Sequence, residues 1–86
     1  MAKEVDLGPQ EVASFPTYVL WGVTNVRVQN TGDVSTVVEL AAGTGSESEN
    51  LDPGKFKRFH GQWGGAVLNV SNASANPGSR LHVQVW

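Results

Sequence analysis

Leu81-His82-Val83-Gln84-Val85-Trp86 alternates apolar and polar residues, which puts Leu81, Val83 and Val85 on one face of an extended strand. By the same alternation Trp86 shares the opposite, wet face with His82 and Gln84. The two-residue period recurs in Asn25–Gln29 through Val26 and Val28. It recurs again in Ala66–Val70 through Leu68 and Val70, and in Thr36–Leu40 through Val38 and Leu40. No segment carries the 3.6-residue period of an amphipathic helix. Such a chain is confined to antiparallel sheets with one dry and one solvated face. Lys55–His60 is less regular, because Phe56 and Phe59 lie three apart, an offset that suits a bulge or a strand end.

Turn residues fall between these runs. Asn30-Thr31-Gly32-Asp33 reads as a tight turn. Within Leu51-Asp52-Pro53-Gly54, Pro53 takes the second turn position and Gly54 the third, the type II preference. The stretch Asn72–Ser79 contains Asn76-Pro77-Gly78 and reads as a loop, and Gly61–Gly65 as a corner around Trp63. The polar, Gly- and Ser-rich segment Ala42–Asn50 reads as a surface loop. Near the start, Glu4–Leu7 reads as a short strand stopped by Gly8-Pro9. Phe15–Trp21 is an apolar run whose Pro16 suits an edge strand or a strand entry.

About six or seven short strands at this spacing predict one antiparallel β-sandwich, immunoglobulin-like or jelly-roll-like, spanning residues 1–86. The expected core is Val26, Val28, Val38, Leu40, Phe56, Leu68, Val70, Leu81, Val83 and Val85. A chain of 86 residues holds one domain, and such a domain buries only roughly 60–65% of its unfolded surface. With 0 cysteines it has neither disulfides nor thiolate metal sites to help. Careful packing or self-association must supply the rest.

The strand end Val28-Gln29-Asn30-Thr31-Gly32, a V-x-N-x-G pattern, is followed by Leu51-Asp52-Pro53-Gly54, an L-x-P-G pattern. Together they resemble many immunoglobulin-like bacterial β-sandwiches, a resemblance that brings no functional residues with it. A fainter internal echo links Val26–Gly32 with Leu68–Ser74. Each is a strand, then Asn, then a turn of small residues.

Charge and chemistry narrow the function classes. The net charge of −2 provides no electrostatic footprint for nucleic acid. Charged residues are 16% of the chain, and so low a charge suits a surface that packs against others. Met1-Ala2-Lys3-Glu4 opens without a basic n-region or an apolar h-region, so no signal peptide is visible. Export would need a leader already removed or a route without one, and no apolar run is long enough to span a membrane. The two histidines, His60 and His82, have no zinc-binding spacing, and the serines form no nucleophile elbow. Glu47, Glu49 and Asp52 cluster without a calcium-loop register, so a solvated acidic loop is expected. Lys55–Trp63 joins basic and aromatic residues and reads as a strand with inward aromatics and outward cations. Asn69-Val70-Ser71 and Asn72-Ala73-Ser74 match the glycosylation sequon only as short patterns. No enzyme, cofactor or metal is expected.

The aromatic residues are the best site candidates. Trp86, Trp21, Tyr18 and Trp63, with His82 and Gln84, are the expected interface or ligand contacts. Rings with polar edges anchor protein interfaces and also stack on sugars. The expectation is therefore a non-enzymatic assembly subunit and a homo-oligomer or larger assembly. A virion decoration protein, or another coat or appendage component at a virion or cell surface, fits it. The alternative is a small carbohydrate-binding module or lectin whose partner is a glycan.

Overall fold

The alternating segments pair in a nested order. The computed structural model describes residues 3–16, 24–42, 45–61 and 66–86. Its strands are β1 (Lys3–Leu7), β2 (Val12–Phe15), β3 (Thr24–Asn30), β4 (Thr36–Ala42), β5 (Gly45–Leu51), β6 (Phe56–Gly61), β7 (Leu68–Asn72) and β8 (Leu81–Val85). No helix occurs among the described residues, so none there is long and apolar enough to cross a membrane. β1 pairs with β8, β2 with β7, β3 with β6 and β4 with β5, all antiparallel. The chain is thus one long antiparallel ribbon that folds back between β4 and β5. Winding the ribbon on itself sets β3 beside β8 and β4 beside β7. Two four-stranded sheets result, in the orders β1-β8-β3-β6 and β2-β7-β4-β5. Of the two connectivities open to the sequence, this is the jelly roll.

The core lies between the sheets and takes one residue in two from the central strands, as the period requires. Val26, Val28, Val38, Leu40, Leu68, Val70, Leu81, Val83 and Val85 are all buried in it, joined by Leu7, Phe15, Ala42, Leu51 and Phe59. Phe56 is the exception to the expected core. β6 is a regular strand without a bulge, pairing Phe59 with inward Val26 and Phe56 with outward Gln29. A three-residue spacing then puts the two rings on opposite faces. The expectation of inward aromatics and outward cations in this strand is corrected accordingly. Phe56 and Arg58 share the outer face, and Lys57 and Phe59 the inner one.

The segment expected to be a surface loop is the edge strand β5, paired with β4 along its whole length. Glu47 and Glu49 stand opposite Leu40 and Val38, in inward-facing register positions. On β6, the edge strand of the other sheet, Lys57 stands opposite Val28. These inward positions carry charge because the sandwich is open on that side. β2 is a further strand outside the expectation, and of the run Phe15–Trp21 only Phe15 and Pro16 lie in the described residues.

Two buried asparagines end corresponding strands and give the internal echo its physical content. Asn30 ends β3 and Asn72 ends β7, each 1% exposed. Asn30 Oδ1 accepts from Gly32 N at 2.9 Å, while its Nδ2 donates to Val34 O at 2.7 Å and Leu51 O at 2.8 Å. Asn72 Oδ1 accepts from Ser74 N at 2.9 Å, and its Nδ2 donates to Ser79 Oγ at 3.1 Å and Leu7 O at 3.5 Å. In each case an Asx turn starts the exit loop, and the amide ties that loop to a neighbouring strand or loop. Burial of Asn72 also withdraws the second sequon from solvent. The Asp52–Lys55 turn is type II, as read from Pro53-Gly54. Lys55 N donates to Asp52 O at 3.0 Å, and Gly54 has φ 84°.

Candidate functional site

The wet face of the β1-β8-β3-β6 sheet gathers the described candidate residues. Cross-strand register builds rows across it. Glu4, Gln84, Arg27 and Arg58 form one row, and Asp6, His82, Gln29 and Phe56 the next. Trp86 continues β8 beyond its last ladder residue. Its N donates to Asn25 O at 3.0 Å and its O accepts from Asn25 N at 2.8 Å, so its ring joins the same face.

The rows are tied by side-chain hydrogen bonds. Arg27 Nη1 donates to Gln84 Oε1 at 3.4 Å, and Gln84 Nε2 donates to Glu4 Oε1 at 2.7 Å. His82 sits between both carboxylates of β1, with Nδ1 2.9 Å from Asp6 Oδ1 and Nε2 3.4 Å from Glu4 Oε1. Protonated imidazole donates from both nitrogens and serves both acids at once. The hydrogen bond to Asp6 raises the His82 pKa above its usual 6.5. Partial burial opposes the rise, and Glu4 and the charge of Asp6 add to it.

This shift has a defined sign. The folded pKa is raised, so the stabilisation is complete below the unfolded value near 6.5 and is lost as pH rises through the folded pKa. His82→Ala should therefore lower the melting temperature more at pH 5 than at pH 9. The pH-dependent part should stay below about 1 kcal/mol, because both acids are more than half exposed. An imidazole NMR titration with a midpoint at or below 6.5 would contradict the assigned pairing.

At the β6 end the face is basic and aromatic. The Arg27 guanidinium carbon lies 4.5 Å and that of Arg58 6.0 Å from the centre of the Phe56 ring. Arg27 and Arg58 stand directly opposite one another on β3 and β6. Like charges in that position repel, and the shared ring offsets part of the repulsion through cation–π attraction. Neither arginine has a carboxylate partner among the described residues, where the only ion pairs are those of His82.

A second feature is the open side between the edge strands β5 and β6. There a cleft of about 260 Å³ is lined by Glu47, Ser48, Glu49, Lys57, Arg58 and Phe59. Asp52 stands apart from it, accepting from Ser35 Oγ at 2.7 Å. No group of three acidic or histidine side chains converges on a metal position among the described residues.

Of the sequence-derived candidates, Trp86, His82 and Gln84 thus come together on one face. Trp21, Tyr18 and Trp63 lie outside the described residues, as does the side chain of His60. Glu4, Asp6, Arg27, Phe56 and Arg58 were not among the candidates. Alternation within β3 and β6 signals that Arg27, Phe56 and Arg58 face outward, but only the strand order shows that they share one sheet with β1.

No protein-family model matches the sequence, and no curated protein matches it. Among solved structures the chain is similar to the solution NMR structure of a de novo designed double-stranded beta-helix, at 18% identity and a TM-score of 0.54, covering 99% of this chain and 95% of that one. The likeness is one of fold, and it agrees with the nested pairing of the ribbon.

Proposed function

We propose that this chain is a non-enzymatic structural subunit that associates with copies of itself through the outer face of the β1-β8-β3-β6 sheet. Jelly rolls serve both as capsid subunits and as lectins, so the fold alone does not choose between these roles. The observation that carries the reading is a pair of large side chains held in water on one sheet face, Phe56 at 50% and Trp86 at 43% exposure. Aromatic rings beside arginine are the side chains that most often anchor protein interfaces. The edges are less suited to the contact. Inward-pointing Glu47, Glu49 and Lys57 blunt the open sides of β5 and β6 against strand addition. A virion decoration protein, or another self-associating coat or appendage component, is the role this surface fits.

The test is sedimentation equilibrium of the wild type beside Phe56→Ser and Trp86→Ala. Both positions lie outside the core, so both variants should fold. Each should weaken self-association by about tenfold or more. Association that is unchanged in both variants overturns the reading. Glycan binding is the competing reading, favoured by the exposed Trp86 residue, paired through its backbone with Asn25 on the same face. A monomeric wild type whose tryptophan fluorescence shifts with a glycan would establish it instead.

A further inference from the structure

The charge on the outer face of the β1-β8-β3-β6 sheet is sorted across the strands. β1 contributes Glu4 and Asp6, and β3 and β6 contribute Arg27 and Arg58. β8 lies between β1 and β3 and separates the two signs. One end of the face therefore has an excess of carboxylate and the other an excess of guanidinium. Gln84 bridges them from the middle, donating to Glu4 and accepting from Arg27.

We infer that a second copy of this chain packs face to face on this sheet, about a two-fold axis that runs parallel to the strands between β8 and β3. The inference rests on the assembly reading above and adds the partner, the symmetry and the pairs. A two-fold axis lying in the interface and parallel to the strands exchanges left for right and keeps position along the strand. β1 of one copy then lies over β6 of the other, and β8 over β3. The row Glu4, Gln84, Arg27, Arg58 meets its own reverse. Glu4 faces Arg58 of the second copy, and Gln84 faces Arg27, in two equivalent sets. An in-plane axis perpendicular to the strands instead lays β1 on β1 and β6 on β6, acid on acid and arginine on arginine. Charge complementarity therefore selects one axis, and isologous contacts of this kind close at the dimer.

One further observation agrees with this arrangement. Arg58 forms no ion pair among the described residues, so its charge is free for a partner.

The test is a charge swap, read by sedimentation equilibrium. Arg58→Glu should weaken dimerisation about tenfold or more, because it sets a carboxylate against Glu4 of the second copy in each of the two equivalent contacts. Glu4→Lys should do the same. The double variant Glu4→Lys with Arg58→Glu should restore the affinity to within about threefold of wild type. Thermal melts show whether each variant is folded, and Arg58→Glu breaks no ion pair within the described domain. If the single variants associate like wild type, or the double variant fails to recover, the Glu4–Arg58 pairing and the axis that makes it are overturned. The assembly reading then stands or falls with the Phe56 and Trp86 variants. A wild type that is monomeric at every concentration overturns both.

Discussion

Asn30→Ala is expected to destabilise the domain by about 3–5 kcal/mol, measured as the shift in urea unfolding. The side chain is 1% exposed and makes three hydrogen bonds, all to backbone groups. Alanine leaves the Gly32 amide and the Leu51 carbonyl without that partner, while Val34 O keeps the Thr36 hydroxyl at 3.1 Å. Each buried polar group left unpaired costs about 1–3 kcal/mol, against the roughly 5–10 kcal/mol a domain of this size has in total. Asn30→Asp is no rescue. It keeps the acceptor for Gly32 but puts a buried carboxylate against two carbonyl oxygens. Asn72→Ala should follow the same direction with a smaller loss, since one of its donated bonds is 3.5 Å long. A loss under about 1 kcal/mol for Asn30→Ala would mean that the amide is not the pin described here.

Gly32→Ala is expected to cost about 2–4 kcal/mol, for a reason unrelated to backbone dihedrals. A Cβ at this position would overlap Gly78 O and fall 2.7 Å from Arg80 N. Both are backbone atoms, so neither can rotate away. The loop after β3 must then lift off the one before β8. That strains the bonds from Thr31 N to Arg80 O at 3.0 Å and from Asp33 N to Gly78 O at 3.1 Å. Gly54→Ala is the internal control. Nothing lies within 4 Å of its Cβ, but its φ of 84° is unfavourable for a side chain, which costs about 1 kcal/mol. The urea midpoint should therefore fall much further for Gly32→Ala than for Gly54→Ala. Equal losses would show that the loops can separate freely.

These two positions also show what was legible in the sequence. Asn30 and Gly32 belong to the turn pattern that stood out after the Val26–Val28 strand, and the Asn72 echo led to an equivalent pin in the other sheet. The central strands were legible because the core covers one face of each, leaving Val26 and Val28, Leu68 and Val70, and Leu81, Val83 and Val85 in strict alternation. β5 was not, because it lies at the open side, where its inward positions hold Glu47 and Glu49 instead of apolar residues. Phe56 was misplaced because hydrophobicity outweighed spacing. Three residues from Phe59, in a strand without a bulge, it could only point the other way.

The candidate face was legible one strand at a time. Alternation in the last strand placed Trp86, Gln84 and His82 together on the wet side. Their partners come from distant segments, since Asp6 and His82 are 76 residues apart. No local pattern links the carboxylates of β1 to the arginines of β3 and β6. That link depends on β8 lying between β1 and β3, a consequence of how the ribbon winds.

Association of this domain with copies of itself is read from the mass of the wild-type protein by light scattering across a dilution series. The expected result is a mass near twice the 9.2 kDa of the chain at high concentration, falling toward the monomer on dilution and in high salt. A constant 9.2 kDa from micromolar to millimolar concentration would contradict it.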